Sequence, residues 1–150
     1  MDRGTAFTGE FRHSLDERGR VAIPARFRPR LAGGATLAKW LDGCLGLFPP
    51  DEWEDLSRKI AALPLASADG RAFSRFMFSG AMETELDRQG RVLVPGYLRE
   101  YAGIEPGQEV FVVGAHSRVE LWAPGAWEPY RSRIDSEPEA LAEHVSHLGI

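Results

Sequence analysis

Leu15-Asp16-Glu17-Arg18-Gly19-Arg20-Val21-Ala22-Ile23-Pro24 returns later in the chain as Leu86-Asp87-Arg88-Gln89-Gly90-Arg91-Val92-Leu93-Val94-Pro95, at an offset of 71 residues. Extended to Arg28 and Arg99, seven of fourteen aligned positions are identical, among them Asp16/Asp87, Gly19/Gly90, Arg20/Arg91 and Arg28/Arg99. A second correspondence follows at offset 74, where Leu47-Phe48-Pro49-Pro50 and Trp53-Glu54 answer Leu121-Trp122-Ala123-Pro124 and Trp127-Glu128. Order and spacing are both kept, so the chain reads as a duplicated unit of about half its length. Two copies are too few for a solenoid, which needs about three to stack. The expectation is a pseudo-twofold arrangement in which each half completes the other.

Each copy predicts the same local structure. Residues 7–15 alternate polar and apolar as a strand does, 16–19 carry turn chemistry, and 20–23 resume an apolar, β-branched run, which reads as a hairpin. Gly19 and Gly90 stand where a short hairpin loop needs a positive φ. Pro24 and Pro95 end the second arm and open short helices over 25–31 and 96–101. A further strand pair follows in each half, 36–39 with 44–48 and 109–113 with 119–122. Pro50 and Pro124 then introduce helices over 51–63 and 125–134. Trp53, Leu56, Ile60 and Leu63 mark one buried face of the first of these. A helix over 69–78 leads into the second copy, 64–70 is the linker, and 138–147 is a charged amphipathic helix with Leu141, Val145 and Leu148 on one side. The expected division is 7–50 and 79–124 for the two repeats, 51–78 for connecting helices and 125–150 for C-terminal helices.

At 150 residues, 43% hydrophobic and 27% charged, the chain can bury an ordinary core and is neither disordered nor fibrous. Its single cysteine, Cys44, excludes an intrachain disulfide and a thiol-rich metal site. No apolar run approaches the roughly 20 residues of a membrane span, and residues 1–10 lack a signal-peptide core. These readings point to a soluble, cytoplasmic protein with no membrane partner. The net charge of −4 is unevenly placed. Residues 1–30 hold seven arginines against four acids, and residues 101–150 three arginines against eight acids. The basic end could meet an anion, or the asymmetry could be a solvated face.

Catalytic chemistry finds little footing. His13, His116, His144 and His147 lie in three separate places without carboxylates or cysteine at ligand spacing, so no metal and no cofactor is expected. Gly33-Gly34 lacks the lysine and hydroxyl of a phosphate loop, and Ser14, Ser67, Ser74 and Ser79 lack a motif that places a base beside them. Asp16 and Asp87 as paired catalytic carboxylates are answered by an arginine four residues on in each copy, which suggests turn capping and ion pairing. The expectation is a protein that is not an enzyme and takes no small-molecule substrate.

The turns themselves are the better candidates. A two-stranded ribbon fits the major groove of B-DNA, and arginine is shaped to meet guanine O6 and N7 with two hydrogen bonds. Arg18, Arg20, Arg88 and Arg91 cluster around the two turns. On the residues alone, two readings of Arg20 and Arg91 stand side by side: base contact, or full occupation by Asp16 and Asp87.

Both copies of Leu-Asp-x-x-Gly-Arg-x-x-(Ile/Val)-Pro resemble the swapped-hairpin barrel of AbrB-type transcription factors, and the tandem duplication resembles the MraZ family of bacterial regulators. The resemblance runs over residues 7–144 and includes Leu41-Asp42-Gly43-Cys44-Leu45, Ala62-Leu63-Pro64-Leu65 and Phe78-Ser79-Gly80-Ala81. It implies an α+β chain: a pseudo-twofold swapped-hairpin (double-psi-like) β-barrel built from two tandem AbrB-like repeats, with flanking helices. It also implies a nucleoid-associated regulator that binds double-stranded promoter DNA at short G-rich direct repeats upstream of the division and cell-wall gene cluster. The implied assembly is a homo-oligomeric ring, an octamer or larger. The family's DNA-contacting Asp-x-x-x-Arg signature falls on Asp16 and Arg20, and on Asp87 and Arg91. Glu17 and Gln89 make the two turns unequally cationic, and residues 1–6 form a longer leader than the family's usual start at a phenylalanine like Phe7. With a barrel complete within one chain, ring contacts are expected on the helices over 51–63 and 125–134. Two other classes compete: a ring-forming structural or protein-interaction module, and an antitoxin-like DNA-binding protein, which is disfavoured because no disordered toxin-binding tail is visible.

Overall fold

A computed structural model describes residues 5–149; the first four residues of the leader lie outside them. Among the described residues, eight strands and six α-helices follow one another, with short 3-10 turns at Ala25–Phe27, Leu41–Gly43 and Ser146–Leu148. The first repeat supplies β1 (Glu10–Ser14), β2 (Arg20–Ala22), α1 (Arg28–Leu31), β3 (Ala35–Lys39) and β4 (Leu45–Phe48). Helices α2 (Pro50–Ala61) and α3 (Ala68–Gly80) lead to the second, which supplies β5 (Met82–Thr84), β6 (Arg91–Leu93), α4 (Gly96–Ala102), β7 (Glu109–Gly114) and β8 (Val119–Trp122). Helices α5 (Pro124–Ser136) and α6 (Pro138–His144) follow. Pro50 and Pro124 occupy first-turn positions of α2 and α5, where a missing N–H leaves nothing unbonded. The Ser67 side chain caps α3 by accepting from the Gly70 N–H at 3.0 Å.

The strands form an antiparallel sheet in the order β1-β7-β8-β4-β3-β5 and a separate ribbon, β2-β6. The two halves exchange their first strands: β1 pairs with β7, β5 with β3, and β2 with β6. The predicted hairpin of residues 7–15 with 20–23 is corrected on this point. One bridge, Leu15↔Val21, joins its arms, which then diverge into different sheets. The cause lies in the core. Leu15, Val21 and Ile23 are fully buried among residues of both halves. A flat hairpin would place Leu15 and the Val21–Ile23 pair on one surface, whereas divergence lets the sheet and the ribbon close on them from opposite sides. The ladder does not run round a closed barrel, because β1 and β5 remain edges of the six-stranded sheet.

Period-two alternation divides the sheet between clusters. Leu37, Leu45, Leu47, Val110, Val112, Val119 and Leu121 face the central core under the ribbon. On the other face, Ala38 and Phe48 receive α2 and α3, while Phe111 and Trp122 receive α5. The aromatic faces of α2 and α5 are spent inward, so of the surfaces expected for assembly on these helices the outward sides are the ones left open. Trp53 lies 5.6 Å from Phe48, and Trp127 lies 5.0 Å from Trp122, ring centre to ring centre. The C-terminal helix ends at His144, three residues short of the predicted 147, and Leu141, Val145 and Leu148 are exposed.

Candidate nucleic-acid interface

The two turns meet at the ribbon. In each, an aspartate organises the chain with main-chain hydrogen bonds. Asp16 Oδ1 accepts from the Arg18 and Arg20 N–H groups, each at 2.9 Å, and Asp87 Oδ1 accepts from Gln89 and Arg91, again at 2.9 Å. The turn closes as Gly19 N–H donates to Asp16 C=O and Gly90 N–H to Asp87 C=O, both at 3.0 Å. Gly19 and Gly90 take φ of +80° and +75°, the left-handed conformation expected from their place in the motif. Each turn is also tied to the other repeat, since Ile23 N–H donates to Gly90 C=O and Val94 N–H to Gly19 C=O.

The second carboxylate oxygens hold the arginines. Arg20 Nε donates to Asp16 Oδ2 at 3.1 Å, and Arg91 Nε to Asp87 Oδ2 at 2.9 Å. The guanidiniums also reach across the pseudo-twofold, Arg91 Nη1 to Asp16 Oδ2 at 3.5 Å and Arg20 Nη1 to Asp87 Oδ2 at 4.0 Å. Sequence reasoning paired each arginine with its own aspartate; the crossed contacts are new. They make one four-residue cluster in which Nε anchors each guanidinium to its own aspartate and Nη1 faces the other copy's. Arg20 and Arg91 are about a quarter exposed, while Arg18 and Arg88 are exposed at the turn tips. In register across the ribbon, Arg20 faces Leu93 and Ala22 faces Arg91, so these four residues share its outer side.

Two further arginines complete the site. Arg28 Nε donates to Ile23 C=O at 2.8 Å and lies against Gly90, where a Cβ would come within 2.2 Å of that nitrogen. Arg99 lies against Gly19 in the same way, with its Nε buried and without a hydrogen-bond partner. The repeat alignment contains the signal, the Arg28/Arg99 identity, but in one dimension nothing says that each arginine crosses to the other copy's turn.

Main-chain hydrogen bonds from Arg20 and Arg91 are the largest cause holding the Asp16 and Asp87 carboxyls below the ordinary carboxylate range; against a smaller upward push from burial, the Arg18 N–H and then the Arg20 guanidinium add to it at Asp16, and the Arg91 guanidinium and then the Gln89 N–H at Asp87. A group whose folded value is depressed adds stability that is complete above its unfolded value and lost as pH falls through the folded one. Urea midpoints measured between about pH 5 and pH 2 should therefore fall more steeply for the wild type than for Asp16→Asn/Asp87→Asn. Parallel curves would remove the electrostatic role given to the pair.

Among the described residues no group of three or more His, Cys, Asp or Glu is placed to hold a metal ion, and no helix is long and apolar enough to cross a membrane. Cys44 is buried against Leu41 C=O, and burial followed by the Glu120 charge pushes its thiol far up, which marks packing rather than nucleophilic chemistry.

The family described as "MraZ protein, putative antitoxin-like" matches the chain twice, over residues 6–76 and 77–145. A "Transcriptional regulator MraZ" from Pelotomaculum thermopropionicum is 49% identical over 144 residues, covering 96% of this chain and 98% of that protein. Its counterpart from Moorella thermoacetica is 50% identical, covering 96% and 99%. That from Syntrophomonas wolfei is 46% identical over the same shares. A solution structure of PHS018 from Pyrococcus horikoshii, 18% identical, covers 83% of this chain and 98% of that one at a TM-score of 0.33, a likeness too loose to bear on the fold. Two tandem matches that together span nearly the whole chain, with relatives near half identity along their full length, establish that the chain belongs to the MraZ family.

Proposed function

We propose that the chain is a sequence-specific DNA-binding transcriptional regulator whose reading element is the β2-β6 ribbon with its two turns. The observation that carries this reading is the crossed Asp16-Arg20-Asp87-Arg91 cluster. It fixes each arginine by Nε and draws its Nη1 toward the other copy's aspartate, which leaves Nη2 and the second proton of Nη1 for hydrogen bonds to guanine, so base contact and aspartate pairing are compatible in one arrangement. Arg18 and Arg88 at the exposed tips neutralise flanking phosphates. The names of the relatives support regulation of transcription. We read the exchange of strands between halves as the swapped-hairpin barrel, with its seam open between the ribbon and the sheet edges. The repeats at 7–50 and 79–124 form its halves, and residues 51–78 and 125–150 flank it.

The DNA sites are short G-rich direct repeats upstream of the division and cell-wall gene cluster. The working form is a homo-oligomeric ring, an octamer or larger, acting in the cytoplasm at the nucleoid without a cofactor. Ring contacts use surfaces other than the inward aromatic faces of α2 and α5. A ring that presents successive ribbons gains affinity by effective concentration as sites are added. Light scattering should show a multi-subunit particle, and three repeats should bind more tightly than one; a monomer with equal affinity for both contradicts the assembly.

Salt tests the electrostatic part. A plot of log affinity for the chain's own upstream DNA against log salt concentration should fall steeply, because phosphate contacts release counterions. Arg18→Ala should lower that slope by about one unit and weaken all sequences alike. A flat plot would point instead to a ring whose partner is a protein.

A further inference from the structure

The ribbon's outer face is not symmetric. The pseudo-twofold that exchanges Arg20 with Arg91 places Ala22 where the second repeat has Leu93. Leu93 is 47% exposed, while its neighbours Val92 and Val94 are buried beneath it. A lone surface leucine ordinarily needs no explanation. This one stands directly across the ladder from Arg20, on the strand of Arg91 and two residues from it, and is the one large apolar side chain among the four on the ribbon's outer side. The register therefore puts an exposed apolar side chain beside Arg20 on the face that carries both arginines.

In the major groove, the one apolar feature a base pair offers is the 5-methyl group of thymine. We propose that Leu93 is a specificity-determining residue that packs on a thymine 5-methyl beside the guanine met by Arg20; this rests on the ribbon being the DNA-reading element. Ala22, shorter by three carbons, does not reach equally far on the Arg91 side. The two ends of the ribbon therefore read different bases, and one chain takes its site in one orientation, as direct rather than inverted repeats require.

The test compares two versions of one duplex, the DNA upstream of the chain's own gene, prepared with either thymidine or deoxyuridine. Uracil keeps every hydrogen bond of thymine and lacks only the methyl. The wild-type chain should bind the deoxyuridine duplex about fourfold more weakly, the size of one methyl group removed from water. Leu93→Ser, a change at a half-exposed position, should keep the wild-type melting temperature and bind both duplexes equally. Equal wild-type affinity for the two duplexes would overturn the proposal while leaving DNA recognition intact. An undiminished preference in Leu93→Ser would overturn it as well, by placing methyl recognition or DNA shape elsewhere. If the wild type does not distinguish the upstream duplex from scrambled DNA, the ribbon reading itself fails, and this inference with it.

Discussion

Arg20→Ala should weaken binding of the upstream DNA by about 1–3 kcal/mol, roughly 5- to 150-fold, and relax preference at one guanine. The turn should survive the change. Its closure depends on main-chain N–H groups of Arg18, Gly19 and Arg20 bonded to Asp16, none of which the truncation removes. Asp16 Oδ2 also keeps Arg91 Nη1 at 3.5 Å. Arg20→Lys separates charge from geometry: an ammonium restores phosphate attraction but not the planar fork, so affinity should recover in part and base preference should not. Should Arg20→Ala instead lose its cooperative thermal transition, the guanidinium would be a structural tie and not a reading group. Arg91→Ala provides the independent repeat of the experiment on the other half.

Gly90→Ala should destabilise the fold by about 2–3 kcal/mol. Holding a residue with a Cβ at φ +75° costs about 1–2 kcal/mol. The new Cβ would also displace Arg28, whose Nε it would approach to 2.2 Å, from its bond to Ile23 C=O. A net hydrogen bond of that kind is worth about 0.5–1.5 kcal/mol. Gly19→Ala meets a milder obstruction, Val94 C=O at 3.1 Å and Arg99 Nε at 3.4 Å, and should cost less. Urea unfolding of the two variants checks both the size and the order. A loss below about 0.5 kcal/mol for Gly90→Ala, the range of ordinary surface substitutions, would show that the cradle does not matter.

Much of this was legible in the chain because the signals were local. Proline at 50 and 124, glycine at 19 and 90, and the apolar periodicity of Trp53, Leu56 and Ile60 mark elements that the structure contains. The repeat placed Asp16 with Asp87 and Arg20 with Arg91 in equivalent settings. Partner choice between strands was not legible. β1 alternates as any half-buried strand does, and nothing in residues 10–14 says that its ladder partner is 109–114 rather than 20–23. The crossed Arg91–Asp16 contact and the seating of Arg28 under Gly90 follow from that exchange, so they were hidden with it. The C-terminal segment was legible only as a helix. Amphipathic spacing shows that Leu141, Val145 and Leu148 share a face, but not that anything within one chain covers it.

The central claim is that this chain reads promoter sequence through its ribbon. A mobility shift of its own upstream DNA, run with a large excess of scrambled duplex, tests that most directly. The account predicts a discrete shifted species that survives the scrambled competitor and is lost when Arg20 and Arg91 are both replaced by alanine. A shift that scrambled DNA removes as readily as the upstream sequence does, or one that the double variant retains in full, would contradict it.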